Sequence, residues 1–191
     1  MSTLEVNKIT PVGVGTSVTL GDSGDTFTIP SGVTLDGSSA TLTGFGTATV
    51  NGITEADQWR MTANKTGTGI INTNLERVDT DGGGYIGTGM TQSSGNFSFP
   101  STGIWLISLN TLSDGLVYLT IETTQDNSSY NAAASCYSDS SVQSGNCQFI
   151  FDVTDTSTHK VNFNRFGGGG TLYGSTSINQ TSFTFIRLGD T

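Results

Sequence analysis

The chain has 191 residues, is rich in Gly, and carries 16 acidic against 7 basic residues, for a net charge of −9. Nucleic-acid and anionic-membrane binding both draw on Lys and Arg, and a membrane helix needs roughly 20 apolar residues, so we expect no nucleic-acid partner and no membrane insertion. Low charge together with many β-branched and aromatic residues favours strands over helices.

The N-terminal residues Met1 to Thr10 contain neither the basic region nor the apolar region of a signal peptide. We therefore expect synthesis in a cytoplasm without export by the standard route. That expectation bears on Cys136 and Cys147, which are either two small thiols or a hairpin disulfide, because cytoplasmic synthesis argues against the bond.

A short phrase, apolar–Thr–apolar followed by turn residues, recurs between residues 18 and 50. Its apolar residues lie two apart and share one face of a strand, but each unit is too short to bury a core alone. We predict an intertwined β-repeat shaft in which three chains share an apolar axis; a flexible Gly/Ser/Thr linker is the alternative. The predicted axial residues are Val18, Leu20, Phe27, Ile29, Val33, Leu35, Leu42 and Val50.

The predicted boundaries are a fibrous shaft and anchor over residues 1–53, a linker over 54–58 and a globular head over 59–191. Thr54 is a candidate N-cap, and Glu55 and Asp57 would fall in the first turn, so the linker is predicted to form one helical turn.

The head contains both Trp residues and short alternating segments that predict an all-β sandwich of about eight to ten strands. In residues 104–109 both faces are largely apolar, which predicts a strand buried on both sides. The predicted strands are Trp59–Ala63, Leu75–Asp79, Phe97–Phe99, Ile104–Leu109, Leu116–Thr123, Cys147–Val153, His159–Phe166 and Ser182–Leu188. The predicted core residues are Phe97, Phe99, Trp105, Ile107, Phe149, Phe151, Phe183 and Phe185.

One segment of the head resembles a known family. Residues 95–107, GNFSFPSTGIWLI, resemble the G-x-F-x-x-P-x-x-G-x-Y-x-F signature of the C1q/TNF-like jelly roll, with the Pro directly after the Phe pair and Trp105 at the Tyr position. Residues 181–190 are similar to the closing strand of that family. The resemblance implies a homotrimer whose binding surfaces are loops at the outer end or sides of the head.

The stretches 4–10, 55–60 and 75–82 are similar to fibre and appendage proteins of tailed phages of marine bacteria. This resemblance implies a virion protein assembled in the host cytoplasm, a trimeric fibre that contacts other virion proteins through its N-terminal segment. Its head would attach to a host-surface polysaccharide or protein. The alternatives are a capsid decoration or head-fibre protein, a glycan-cleaving spike, and a secreted C1q-like ligand, which would need a signal peptide.

We predict no enzymatic activity, no cofactor and no metal site. His159 is the single histidine and no G-x-S-x-G elbow is present, so a structural or surface role is predicted for it. Asp79 and Asp81 begin a calcium-loop spacing whose remainder is missing, which makes them weak candidate ligands. The acid groups Glu55/Asp57, Glu76/Asp79/Asp81 and Asp152/Asp155 fall at predicted turns or strand ends, where acids serve as solvated turn formers rather than as a glycosidase pair.

Four tyrosines in predicted loops or strand ends are candidate sugar-stacking residues. They are Tyr85, Tyr130, Tyr137 and Tyr173. The alternative is that each ring packs against the head with its hydroxyl at the rim. The runs Gly82–Gly84 and Gly167–Gly170 lack the Lys and helix of a phosphate loop and indicate mobile or closely packed loops.

Overall fold

Alternating apolar residues build twelve β-strands in the part of the chain that the computed structural model describes, residues 52–139 and 141–191. The eight predicted axial residues of the shaft lie outside these described residues, so the shaft stays a prediction. The strands are β1 (Ala56–Met61), β2 (Gly69–Ile70), β3 (Leu75–Arg77), β4 (Thr91–Ser93), β5 (Asn96–Ser98), β6 (Gly103–Asp114), β7 (Val117–Thr124), β8 (Asn131–Ser138), β9 (Gln143–Val153), β10 (Lys160–Gly167), β11 (Thr171–Leu172) and β12 (Ser182–Gly189).

The strands form two antiparallel sheets. The first, called here the β6 sheet, has the order β9-β6-β12-β1-β3, with β11 paired to the last residues of β6. The second, called the β7 sheet, has the order β4-β5-β10-β7-β8, with β2 paired to β10. Among the described residues no helix is long and apolar enough to cross a membrane. The predicted all-β, two-sheet architecture of the head is thus confirmed.

Aromatic side chains from both sheets fill the core. Phe163 of the β7 sheet stacks on Phe183 of the β6 sheet with ring centroids 4.1 Å apart, and the Phe97 ring lies 5.1 Å from that of Phe185. Of the eight predicted core residues, seven are buried and Phe149 is half-buried at the core's margin. Burial of these rings supplies most of the favourable free energy available to such a sandwich.

The predicted helical turn in the linker is wrong. Residues 56–58 belong to β1, which pairs with β12 on one side and with β3 on the other, so the head begins no later than Ala56. A capping pattern of Thr followed by acids is a local signal, and it is overridden here because pairing on both edges of β1 satisfies the backbone.

The two faces of strand β6 are not equally buried, which corrects the prediction for residues 104–109. Trp105, Ile107 and Leu109 are buried, whereas Ile104 and Leu106 are half-buried on the opposite, outer face. That face therefore presents aliphatic side chains that the described chain does not cover.

Four strands were missed by the sequence prediction: β2, β4, β8 and β11. Two of them, β2 and β11, are only 2 residues long. Strand β8, with the sequence NAAASCYS, consists mostly of small residues whose propensity is not that of a strand. It forms because its backbone pairs along β7, from Val117–Ser138 to Thr123–Asn131.

The sandwich has two ends, called the near end and the far end, which are defined by the strands that start or finish there. At the near end β6 starts, β12 ends with Gly189 opposite Ile104, and β1 begins with Ala56 beside Ile186. At the far end β6 finishes at Asp114 and the chain turns into β7 at Val117.

A buried arginine holds the far end together. Arg165 is fully buried and donates from Nη1 to the Lys65 carbonyl at 2.9 Å, and from Nη2 to those of Gly168 at 2.8 Å and Gly170 at 2.6 Å. Desolvation by burial lowers the pKa of this guanidinium. Gly168 has φ +90°, and a Cβ there would lie 2.0 Å from the Leu116 carbonyl oxygen. Gly168 and Gly170 are therefore closely packed, whereas a Cβ at Gly169 would meet nothing within 4 Å.

Candidate functional site

A row of aliphatic side chains crosses the outer face of the β6 sheet at the near end of the sandwich. The strand registers align Ile150 with Leu106, Leu106 with Ile186, and Ile186 with Ala56, which in turn bridges to Ile86. Ile150 is 59% exposed and Ile86 50% exposed, and the other three are half-buried. These five residues are called the aliphatic strip. Uncovered apolar rows of this kind mark protein–protein contacts.

A row of aromatic side chains crosses the outer face of the β7 sheet at the far end. Tyr137, Tyr118 and Phe166 come from the neighbouring strands β8, β7 and β10, and are 63%, 36% and 53% exposed. The Tyr118 ring centroid lies 6.1 Å from that of Tyr137, at 36° between planes, and 5.5 Å from that of Phe166, at 35°. These three residues are called the aromatic ladder.

The next outward-facing position along each of these strands is polar. Thr120 lies opposite Ser135 on β8 and opposite Asn164 on β10, which forms a polar row beside the ladder. Glu122 is the next outward-facing residue of β7, two residues beyond Thr120. Its Oε1 accepts hydrogen bonds from Asn164 Nδ2 at 2.8 Å and from Thr120 Oγ1 at 3.3 Å. The surface thus places hydrogen-bonding groups along one edge of an aromatic platform.

A glycine and a β-bulge give the ladder its shape. Strand β10 shifts register between Arg165 and Gly167, so Phe166 is the extra residue opposite β7. Gly167 lies against Tyr118, and a Cβ built on it would come within 3.1 Å of the Tyr118 ring. The absence of a side chain at Gly167 lets the Tyr118 ring lie over β10.

Of the four tyrosines predicted from the sequence, Tyr137 belongs to the aromatic ladder and lies at the end of strand β8. The structure gives the others different neighbours. Tyr85 packs on the Arg77 guanidinium, 4.4 Å from the ring centroid. Tyr173 donates its hydroxyl to Asp114 Oδ2 at 2.8 Å, which raises the pKa of Tyr173. Tyr130 is half-buried, and burial raises the pKa of its hydroxyl.

Tyr118 and Phe166 were missed by the sequence prediction because only tyrosines in predicted loops or strand ends were considered as candidates, whereas Tyr118 lay inside a predicted strand and Phe166 is not a tyrosine. A signal for them was present. Alternation along β7 buries Val117 and Leu119 and turns Tyr118 outward, while alternation along β10 buries Arg165 and turns Phe166 outward. An aromatic residue at an outward-facing strand position is the feature that would have identified both.

The predicted acid groups are occupied with structural contacts. Buried Asp57 accepts hydrogen bonds from Trp59 Nε1 at 2.9 Å, from Arg77 and from the Met90 amide at 2.7 Å. Its neighbour Glu55 accepts from the backbone amides of Thr88 and Gly89. Asp57 is thus a buried hub rather than a solvated turn former.

The acids of the two other predicted groups, Glu76/Asp79/Asp81 and Asp152/Asp155, include residues that also make structural contacts. Glu76 and Asp79 pair with the buried Arg60 at 2.7 and 2.9 Å, and Asp155 accepts hydrogen bonds from Ser157, which lower its pKa. Asp81 lies at an exposed turn with φ 54°. Within residues 52–139 and 141–191, no group of three or more His, Cys, Asp and Glu side chains could hold a metal ion.

His159 and the two cysteines also have structural surroundings. The His159 ring is buried, stacks on Phe151 with centroids 5.5 Å apart, and contacts the hydroxyls of Thr154 and Thr158. Cys136 of β8 and Cys147 of β9 are free thiols on different sheets. The hydrogen bond between them raises the pKa of Cys147 and lowers that of Cys136.

Comparison with solved structures identifies the fold. No protein-family model matches the chain, and no curated protein sequence matches it. Murine APRIL at pH 5.0 is similar, with 12% identity over 70% of this chain and 98% of that one and a TM-score of 0.53. So is the globular domain of zebrafish complement 1qA, with 10% identity, coverages of 72% and 99%, and a TM-score of 0.53. The Eiger TNF of S. frugiperda, at 10% identity, covers 71% and 93% with a TM-score of 0.53. The head therefore has a TNF/C1q-type jelly-roll fold, as its sequence signature predicted.

Proposed function

We propose that this chain, whose head is a TNF/C1q-type jelly roll, is a non-enzymatic structural protein that assembles as a homotrimer. We further propose that the trimer is a virion appendage, a fibre that presents its heads for attachment to a host surface. The single observation that carries the proposed assembly is the aliphatic strip on the outer face of the β6 sheet.

The aliphatic strip supports assembly because covering its contiguous apolar surface with another protein surface is favourable. Ile150 and Ile86 each leave half or more of their surface in solvent, and they lie at opposite ends of one continuous row. Covering such a row with a second copy removes apolar area from water at about 25 cal/mol per Å². A homotrimer in which each head contacts the next also agrees with the predicted three-chain shaft of residues 1–53.

The contacts of the acidic side chains support a structural rather than a catalytic role. A glycosidase needs two carboxylates free to exchange protons and contact the scissile bond. In the predicted acid groups, Asp57, Glu76 and Asp79 are instead paired with arginines in the described head. Their charges are used to hold β1 and β3 to the loops that follow.

The virion assignment rests on the sequence phrases at residues 4–10, 55–60 and 75–82. In this proposal the N-terminal segment contacts other virion proteins and the trimer is assembled in the host cytoplasm. Attachment is the role assigned to the head, toward a surface polysaccharide or protein.

Gold-labelled antibody imaging of purified particles that carry this protein tests the proposal. Label at a tail or fibre tip is the expected result. Label spread over the capsid would overturn attachment as the main role and identify a decoration or head-fibre protein. Absence of label from particles that package the other structural proteins would overturn the virion assignment.

A further inference from the structure

We propose that the aromatic ladder, Tyr137, Tyr118 and Phe166, is a binding platform for uncharged polysaccharide. This inference rests on the proposed attachment function and names the ligand class and the surface. It concerns a strand face rather than the loops that the sequence resemblance implied.

The chemistry of the ladder fits a sugar ring. Aromatic faces carry partial negative charge, and the C–H groups on one face of a pyranose carry partial positive charge, so the two surfaces attract when stacked. The tyrosine and phenylalanine rings are inclined by only 35–36° to their neighbours, so they form one continuous platform across three strands. Rigid aromatic side chains also lose little conformational entropy on binding.

The polar row gives the hydroxyl edge of a sugar its partners. Ser135 is exposed and Asn164 is half-buried in the row next to the rings, and the half-buried Glu122 lies one row further on the same outer face. Glu122 already accepts from Asn164, which orients both side chains before any ligand arrives. Pre-oriented hydrogen-bonding groups next to an apolar surface fix the direction in which a ligand lies.

The charge distribution favours an uncharged ligand. The chain carries a net charge of −9, and in the described head Arg165 is buried while Arg60 and Arg77 are paired with acids. A single-stranded nucleic acid would also stack on aromatic rings, but its affinity depends on a basic groove along the backbone. Glu122 on the ladder's own face adds repulsion toward any anionic polymer.

The two outer faces of the sandwich differ in a way that separates their partners. The aliphatic strip offers isoleucine and leucine, which gain only by exclusion of water and suit another protein surface. The aromatic ladder offers flat rings beside polar groups, which suits a ligand that is itself apolar on one face and polar at its edge. The aromatic ladder lies at the far end of the sandwich, whereas Ala56 at the start of β1 and the last residues of β12 lie at the near end.

Affinity electrophoresis of the full chain tests the proposal. The probes are the neutral fraction of surface polysaccharide from the cells that the particles infect, with glucan, mannan and galactan, and alginate as an anionic counter-probe. We expect at least one neutral polysaccharide to retard the wild-type protein and alginate to have no effect. Tyr137→Ser and Phe166→Ser should each weaken the retardation by about tenfold, the scale of a lost aromatic stack.

Tyr85→Ser is the matched control, because Tyr85 is 51% exposed but packs on Arg77 outside the ladder. It should leave the retardation unchanged. The proposal is overturned if no neutral polysaccharide retards the wild type, if Tyr85→Ser weakens binding as much as the ladder variants, or if the ladder variants change the solution mass instead. The last result would identify the ladder as a contact between copies.

Adsorption of the same proteins to the infected cells separates this inference from the attachment function. If the wild type and the ladder variants adsorb equally, attachment stands and the ladder proposal fails. If polysaccharide retards the wild type through the ladder while the protein does not adsorb to cells, the ladder proposal stands and host-surface attachment fails.

Discussion

At the scale of single residues, the strongest constraint on the head is the carboxylate of Asp57. Its side chain is 1% exposed, and it joins β1 to Arg77 on β3 and to the Met90 amide in the loop beyond. The Arg77 guanidinium in turn lies 5.2 Å from the Trp59 ring and 4.4 Å from the Tyr85 ring. One buried charge thus positions an arginine between two aromatic rings.

Replacing Asp57 by Asn should lower the free energy of unfolding by about 3 kcal/mol, the scale for removing one member of a buried ion pair. The physical reason is that Arg77 loses its charged partner while its surroundings stay partly desolvated. Urea unfolding followed by tryptophan fluorescence measures the change.

Asp79→Asn is the control for that variant. Asp79 also contacts an arginine, Arg60, but its side chain is 74% exposed, so its removal should cost under about 1 kcal/mol. Equal losses for the two variants would contradict the argument that burial decides the effect.

Asp57 also illustrates what sequence reasoning misses at this scale. An acid three residues after Thr54 reads locally as a solvated helix start, whereas its true partners, Arg77 and Met90, are 20 and 33 positions away. Buried core positions were easier to predict, because alternation is a local signal and apolar rings such as Phe97 and Phe183 are usually buried.

At the scale of elements, Asp114 connects the end of β6 to β11. Its carboxylate accepts a hydrogen bond from the Tyr173 hydroxyl and another from the Thr171 amide at 2.7 Å. These bonds hold the pKa of Asp114 below its ordinary value of 3.8, with the Tyr173 bond the larger cause. A group whose pKa is depressed on folding stabilises the fold above its unfolded pKa.

We therefore expect part of the stability of the wild-type head to disappear as the pH falls below 3.8 through the lowered pKa of Asp114. Asp114→Asn should lack that part of the acid sensitivity, because its amide does not titrate: the amide oxygen can accept from Thr171, and the amide nitrogen can donate to the Tyr173 hydroxyl oxygen. Urea midpoints measured above and below this pH, for both proteins, test the difference. An equal acid dependence in the two proteins would show that other carboxylates dominate.

Elements with clear alternation were predictable, and those without it were not. Eight of the twelve observed strands overlap the segments predicted from the sequence, such as β10 at Lys160–Gly167. Strand β8 was not, because its Ala, Ser and Asn residues gain strand structure only from the register with β7. Without β8 the pairing of Tyr137 with Tyr118 could not be predicted, although the outward position of Tyr118 on β7 could.

At the scale of the whole molecule, the proposed assembly depends on the outward side of the β6 sheet. We expect the wild-type protein to have a solution mass three times the 19.9 kDa of one chain. Ile150→Asp places a charge in the aliphatic strip, so trimers should dissociate at protein concentrations where the wild type stays assembled. Light scattering after size-exclusion chromatography measures both masses over a dilution series.

Ile178→Asp is the matched control, since Ile178 is 57% exposed against 59% for Ile150 and lies in the loop before β12. Its assembly should equal that of the wild type. A wild-type monomer, or unchanged assembly of Ile150→Asp, would contradict the role given to the aliphatic strip.

The position of β12 has a practical consequence for handling the protein. Its final residue, Gly189, pairs with Ile104 at the near end, whereas Tyr118 lies on the outer face of the β7 sheet at the far end. A fluorophore or affinity tag fused after Thr191 would extend from the near end and leave the three rings unobstructed. The same fusion site would let the head be immobilised on a sensor surface in one orientation, with its proposed sugar-facing side toward the solution.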